Sequence, residues 1–369
     1  MSTSNSSVNG GVSVQRIPVP DSPATPGASG FHAFHELTVS HEMELWGNLD
    51  RCPTWAEAVL FWQGNDYEER HVYLARIDGV PVGAGTLTLP ISENTTTAGV
   101  DVLIRPGYRR RGLGSLILGV LEQAAYHRGR VSFDAYFGGP IAAVEAGSDI
   151  LAAKSRSGGV PRSWAATCFA LHHGYSLEQV ETSSVLSLPI PAERRLDVEW
   201  DALRHASGYS TVTWHDSCPE ALIGAFARLK SLMSTEVPVA GMGWEGEQWN
   251  AARVRQEEAT WDASGLRSVV AVARHDATGE LAAYTAMTHR DQTPAMLYQE
   301  DTLVAPEHRG HRLGMLVKVA NLRQAAERWP HATAVLTWNA TENQHMLAIN
   351  IALGFKPSGF EGAWQKRLE

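Results

Sequence analysis

The sequence predicts an α/β (α+β) fold built twice in tandem, each copy a mostly antiparallel twisted sheet flanked by helices. Three observations predict it. The chain has 369 residues, more than one hydrophobic core usually serves, so two domains are expected. A stretch near position 100, VDVLIRPGYRRRGLGSLILGVLEQAA, returns near position 300 as EDTLVAPEHRGHRLGMLVKVANLRQAA. Each of the two stretches follows a β-hairpin pattern and precedes a helix, a strand and a closing helix.

The repeat aligns without a gap at an offset of 200 residues, with Asp101 on Asp301, Leu103 on Leu303, Pro106 on Pro306 and Arg109 on Arg309. Leu113-Gly114 then falls on Leu313-Gly314. Upstream, VYLARIDGVPVGAGTLTLP reads as two β runs turned at Asp78-Gly79. SVVAVARHDATGELAAYTAM repeats that arrangement with Thr278-Gly279 in the turn. Downstream lie an apolar-periodic helix and a strand, VSFDAYF in the first copy and TAVLTWNA in the second. Each copy closes with a helix stopped by glycine, at Gly174-Tyr175 and Gly354-Phe355, ahead of a last strand. The expected organisation is a flexible Ser/Gly/Pro-rich tail over 1–30, an N-terminal domain over 31–195 and a C-terminal domain over 196–369. The Pro- and charge-rich stretch SLPIPAERRLDVEWD is the expected linker.

With 44% hydrophobic and 19% charged residues the chain can bury sizeable cores. A net charge of −9 argues against a general nucleic-acid binder, which needs a basic face, and is compatible with attraction of cationic amines. Cys52, Cys168 and Cys218 follow no metal-ligand spacing and read as reduced thiols, so no metal is expected. No apolar run reaches membrane-spanning length, and the start of the chain lacks the basic and apolar segments of a signal peptide. The expectation is a cytoplasmic monomer or homodimer with no membrane partner.

The repeated loop carries the chemistry. In Arg109-Arg110-Arg111-Gly112-Leu113-Gly114 a strand gives way to a helix. Glycines let backbone N–H groups face an anion without a Cβ in the way. The helix start adds unsatisfied N–H groups and the positive end of its dipole. Arginine forks suit phosphate oxygens. One such loop could be an ordinary turn with solvated arginines; two in the same strand-loop-helix context point to a pyrophosphate cradle.

Arg-x-x-Gly-x-Gly at this place resembles motif A of the GNAT superfamily of acyl-CoA N-acyltransferases, matched in full by Arg109, Gly112 and Gly114. The second copy keeps Arg309 and Gly314 but has Arg312 at the middle glycine, a residue that adds a donor yet is not expected to adopt a glycine-only backbone conformation. Its HRGHRLG loop, Thr337-Trp338-Asn339-Ala340 and the run Asn343, Met346, Ile349, Asn350, Leu353, Gly354, Phe355 resemble a group of bacterial GNAT domains. The resemblance covers the chain except tail and linker. It implies acetyl-CoA as co-substrate, held by Leu103, Ile104, Arg109, Arg110, Arg111, Gly112, Leu113 and Gly114 in one copy. In the other copy it implies Leu303, Val304, Arg309, Gly310, His311, Arg312, Leu313 and Gly314.

Acyl transfer to an amine needs a base to neutralise the amine and help for the departing thiolate. The resemblance places the base on the strand before the loop, where the second copy offers Glu300 and Asp301 and the first offers Asp101. Neighbouring strand residues face opposite ways, so one of Glu300 and Asp301 is expected in the cleft. Glu300 is preferred because Asp301 repeats Asp101. The tyrosine acid of the family would stand at Ala170 and Asn350, neither of which replaces it; Tyr298 or a water remains open. Asn350 could bond a CoA group or thiolate, and Asn339 could orient cofactor or acceptor. His311 and His345 read as structural or solvated, and the helical Trp46, Trp55, Trp62, Trp244, Trp249 and Trp261 as core. The segment MSTEVPVAGMGWEGEQWN, with Glu236, Glu245 and Glu247, reads as a loop able to receive a cationic amine.

The expected function is N-acetyl transfer to a primary amine of a small molecule, with a carboxylate base. A mycothiol-synthase-like or antibiotic-modifying activity is an alternative, and a CoA-binding sensor or scaffold is the alternative of another class. A third arrangement divides labour: the first copy binds CoA structurally and the second catalyses.

Overall fold

The computed structural model describes residues 6–8, 11–25, 29–145 and 149–368. Internal contacts gather the chain into two compact units, Met1–Gln179 with Glu361–Glu369 and Val180–Phe360. In order the elements of the first are β1 (Ser6–Val8), β2 (Val12–Ile17), α1 (Ser29–Trp46), α2 (Trp55–Trp62), β3 (Glu68–Ile77), β4 (Val80–Pro90) and β5 (Thr97–Ile104). There follow α3 (Leu113–Tyr126), β6 (Ser132–Pro140), α4 (Ile141–Glu145), β7 (Ile150–Ala152), β8 (Gly159–Pro161), α5 (Ala165–His172) and β9 (Ser176–Ser187). The second unit continues with α6 (Ala192–His205), β10 (Tyr209–His215), α7 (Glu220–Glu236), α8 (Ala251–Ser264), β11 (Leu266–His275), β12 (Leu281–Arg290) and β13 (Met296–Val304). It ends with α9 (Leu313–Arg328), β14 (Ala334–Ala340), α10 (Gln344–Leu353) and β15 (Lys356–Arg367).

Residues 12–17, read from sequence as part of a flexible tail, form a strand instead. Their VSVQRI pattern buries Val14 and Ile17 and pairs antiparallel with β3, which supplies the cross-strand partners a lone segment lacks. Most of the stretch read as a linker is α6, whose Ala202 joins the core beneath α9; the contact boundary falls at Gln179–Val180. The last residues of β15 belong with the N-terminal unit, where Gln365 donates to Asp134 of β6 at 2.8 Å.

In the N-terminal unit β2 to β5 run antiparallel and β5 pairs β6 in parallel. The β3–β4 turn is the two-residue kind the sequence signals, with Asp78 and Gly79 both at positive φ, 48° and 81°. Phe31, Phe34 and Leu37 of α1 and Val59 of α2 pack on one face with Val72, Leu74 and Ala84. On the other face α3 lies close to β4: a Cβ on Gly85 would stand 2.4 Å from Ile117. That glycine is required by approach rather than by φ.

The C-terminal unit repeats the plan. β10 to β13 are antiparallel, β13 pairs β14 in parallel, and β14 pairs the 181–187 stretch of β9 antiparallel. Strand alternation divides the core in two. Val269, Ala271, Ala273 and Val335 face α9, whereas Val270, Val272, Tyr284 and Ala286 face α7 and α8.

Candidate functional site

In both copies the parallel strands pair only briefly. β5 and β6 are matched over Thr97–Gly99 and Ser132–Asp134, β13 and β14 over Met296–Tyr298 and Ala334–Leu336, although all four strands run on. Beyond those points the strands part. The strand edge after Tyr298 therefore has no β14 partner, and the repeated loop follows at its end.

Each loop begins with a 3₁₀ turn, Pro106–Tyr108 or Pro306–His308. It is tied back by the same bonds: Arg109 N to Pro106 O, and Arg309 N to Pro306 O. Two positions then turn left-handed in each copy, Arg110 (φ 63°) and Gly112 (79°) in the first, Gly310 (89°) and Arg312 (55°) in the second. Arginine and glycine have exchanged places. The expectation that Arg312 would not take the glycine conformation is thus corrected: an isolated L-residue reaches this region at about 1–2 kcal/mol. The turn leaves the backbone N–H groups of Gly310, His311, Arg312, Leu313 and Gly314 without an internal acceptor among the described residues; those of Met315 and Leu316 return to Arg312 O. Such a row at a helix start fits a pyrophosphate. Gly314 also admits a neighbour, since a Cβ there would lie 2.9 Å from Ile349 of α10. Gly114 likewise faces Phe169 of α5 at 3.0 Å.

The arginines are not all turned to the cradle. Arg109 forks onto both oxygens of Glu44 on α1 at 2.7 Å, and Arg309 reaches Glu236 on α7 at 2.6 Å. In each copy the Nε donates to a strand carbonyl, Ile104 or Val304. This arginine braces loop to helix in the same way twice. Arg312 pairs with Asp201 of α6 at 3.1 Å, and Arg111 lies over Tyr108. Leu113 and Leu313 are buried anchors of the helix starts; Leu303 is core on the α7 face and Val304 packs toward α9. Leu103 and Ile104 hold the same places on β5, and the exposed His311 lies beside Tyr209.

Replacing Arg312 by glycine should change unfolding free energy by less than about 1 kcal/mol, relief of left-handed strain being offset by added chain freedom. CoA binding measured by calorimetry should weaken for want of a cation. A large loss of stability would show instead that the Arg312–Asp201 pair holds the loop.

The copies differ at the base position. β4 and β5 stay in register from Gly83↔Ile104 to Thr88↔Gly99, whereas β12 and β13 slip between Thr285↔Thr302 and Met287↔Gln299. The slip puts one extra residue on β13, a β-bulge at Glu300–Asp301. Buried Gln299 fills it, its amide donating to Thr285 Oγ1 at 2.9 Å and Ala286 O at 2.7 Å. Strict alternation therefore fails. Glu300 and Asp301 both line one recess of about 100 Å³, with Trp214, Lys230, Glu257 and Trp261.

Glu300 accepts from the Thr288 hydroxyl at 2.6 Å. Protein crowds the recess floor and raises its pKa to about 7, against the pull of Thr288 and Arg290. Solvent still reaches the side chain from the mouth, which tempers the shift without changing its direction. Asp301 is occupied by structure: it accepts from Tyr284 at 2.9 Å and lies 3.5 Å from Lys230, which also pairs with Glu257 at 2.9 Å. Burial alone would lower the Lys230 pKa, but Asp301 and Glu257 together hold it above its usual value. Burial raises that of Glu257, and Lys230 opposes the rise. With two carboxylates within reach and Trp249 beneath it at 4.3 Å, Lys230 is the charged centre of the cluster.

Opposite lies a second polar group. Asn350 of α10 donates through Nδ2 to Asn339 Oδ1 at 2.6 Å and accepts from Lys318 Nζ at 3.1 Å. Asn339 shares a β14 face with Val335, hence the α9 side, while Glu300 serves the α7 side. Tyr298 is buried, its hydroxyl shared with Thr293 at 3.0 Å. His345 is exposed. Of the acidic loop, Glu236 holds Arg309 and Glu247 holds Arg253 and the Trp249 indole. Trp55, Trp62 and Trp249 pack on cores as expected, and Trp261 lines the recess.

Residues 36–135 match the family model for the acetyltransferase (GNAT) family. Over 96% of this chain and 98% of the other, with 26% identity and a TM-score of 0.72, the chain is similar to a tandem GNAT protein from the clavulanic acid biosynthesis pathway. A GNAT domain is thus matched over residues 36–135. A GCN5-related N-acetyltransferase from Sphaerobacter thermophilus (13% identity, TM-score 0.59, 96% and 95% of the two chains) shares the fold. So does a glucosamine N-acetyltransferase region of a fungal multi-domain β-N-acetylglucosaminidase (13% identity, TM-score 0.63, 97% of this chain and 38% of that one). A search of curated proteins gave no match. The family match lies in the copy with the complete Arg-x-x-Gly-x-Gly; the likeness to the tandem GNAT protein extends over both. Among the described residues no helix is long and apolar enough to cross a membrane, and no cluster of three metal-ligating side chains occurs.

Sequence reading missed Lys230, Glu257, Tyr284, Thr288, Gln299 and Lys318. Only Lys318 left a signal, its helical phase: it lies four residues from Gly314 and three from Asn321, on the inward stripe of α9.

Proposed function

We propose that this protein transfers an acetyl group from acetyl-CoA to a primary amine of a small molecule, with the chemistry in the C-terminal unit. The observation that carries the reading is the placement of Glu300: a carboxylate on a bulged strand, bonded to Thr288 in a recess where the parallel strands have parted, with Val100 at the matching position of the first copy. A carboxylate with a pKa raised toward neutrality is a stronger base than an ordinary one and still has a large ionised fraction at neutral pH to take a proton from an ammonium group. Bound acetyl-CoA supplies an activated acyl group and a thiolate leaving group. The N–H row from Gly310 to Gly314 would hold its pyrophosphate, and the amides of Asn339 and Asn350 offer neutral donors on the α9 side.

The first copy keeps a cradle but has Val100 where the second has Glu300, which supports a division of labour: CoA binding or stability from the first, turnover from the second. The pathway origin of the similar tandem protein favours a small molecule over a protein as acceptor. Release of free thiol from acetyl-CoA across a panel of amines, with mass detection of the acetylated product, tests the reading. CoA binding without release by any amine would leave the sensor or scaffold alternative.

A further inference from the structure

We propose that Lys318 is a positioning residue that sets the direction of a buried amide relay, Lys318–Asn350–Asn339, so that the relay ends in a free N–H donor for the departing thiolate. The inference rests on the acetyl-transfer reading above. Lys318 is 1% exposed and Asn350 3%. Among the described residues Lys318 Nζ has one hydrogen-bond partner, Asn350 Oδ1, and Asn350 Nδ2 in turn meets Asn339 Oδ1.

The direction follows from valence. Lys318 Nζ donates to Asn350 Oδ1 at 3.1 Å and so holds the oxygen end of that amide, a choice the ammonium form, which has no lone pair, enforces. The NH₂ end then faces Asn339, which answers with its own oxygen and leaves its NH₂ outermost. Without the lysine either amide could turn end for end with little change of shape.

A stable core does not ask for this lysine. Among the described residues no carboxylate faces it, the Phe355 ring is 5.7 Å away, and burial lowers its pKa to about 7. The matching position of the first copy is Leu118, an ordinary core residue 4% exposed, and the matching partner there is Ala170. The costly polar version occurs in the copy that carries Glu300. It begins just past the first turn of α9, beside the cradle, and ends on β14 beyond the point where the strands part.

The test compares Lys318→Met, which keeps length but donates nothing, with Lys318→Gln, which can donate without charge but can also accept. Lys318→Met should lower kcat about tenfold with KM for acetyl-CoA nearly unchanged and no loss of melting temperature. Lys318→Gln, able to present its NH₂ end to Asn350 only part of the time, should restore part of kcat, and Lys318→Met should cost nothing further in an Asn350→Ala background. Unchanged kcat, additive losses in that background, or parallel falls of melting temperature and kcat in both variants would overturn the proposal. Asparagine-selective ¹⁵N spectra need no turnover. The Asn339 and Asn350 side-chain amide pairs should be slow to exchange in the wild type and should broaden in Lys318→Met; identical spectra would sink the idea. A wild type that releases no thiol yet shows this amide pattern removes the transfer reading alone.

Discussion

Glu300→Gln is expected to lower turnover by about 10²- to 10⁴-fold, the usual contribution of a positioned general base, while acetyl-CoA binds as before. The amide keeps shape and can still meet Thr288, so lost activity would report lost basicity. Because crowding raises the Glu300 pKa to about 7, the wild-type rate should climb with pH through neutrality and level off above it. The variant should lack that limb. The same shift has a sign for stability. The folded state holds the proton more tightly than the unfolded chain, so the contribution is favourable at low pH and lost as pH rises from about 4.5 through 7. The variant should therefore gain stability relative to wild type above pH 7. A rate unchanged by the substitution would move the base elsewhere, with Asp101 of the first copy next to be tried.

Lys230→Met is expected to destabilise the C-terminal unit by about 3–5 kcal/mol, the cost of leaving a buried carboxylate without its partner. Lys230 is 6% exposed and stands between Glu257 and Asp301. Asp301 keeps solvent on one side, so Glu257 carries most of the penalty. The deficit should shrink as pH falls and that carboxyl, its pKa raised by burial, takes up a proton. Glu257→Gln in the same chain should recover part of it. Denaturant titration read at a probe in this unit measures both. A loss below about 1 kcal/mol would mean that the cluster gains little from its charge.

Much of the fold was legible because its signals are local. A two-residue turn at Asp78-Gly79, glycine stops at Gly174 and Gly354, and the duplicated loop are each written in a few adjacent letters. The bulge was not, since it is a mismatch of register between β12 and β13 and exists only when both strands are in place. Nor was the Lys230 cluster, whose members come from α7, α8, β12 and β13. Strand β2 hid in a stretch whose composition suggested a tail, because six residues of alternating pattern carry little weight beside so much Ser, Gly and Pro. Arg109 and Arg309 were legible as a motif but not as braces, their carboxylate partners lying 65 and 73 residues away in sequence.

The exchange of arginine and glycine between the two left-handed positions has a consequence for how such loops are compared. Written as letters, the copies disagree at three of the six positions from 109 to 114 and 309 to 314, two of them the left-handed ones. Written as torsion angles, Arg110-Gly112 and Gly310-Arg312 are the same word. What the duplication has kept is a sequence of hands, left at the second residue and left at the fourth, with the side chains free to trade provided the turn survives. A degenerate second copy, judged by its missing glycine, is thus a synonym.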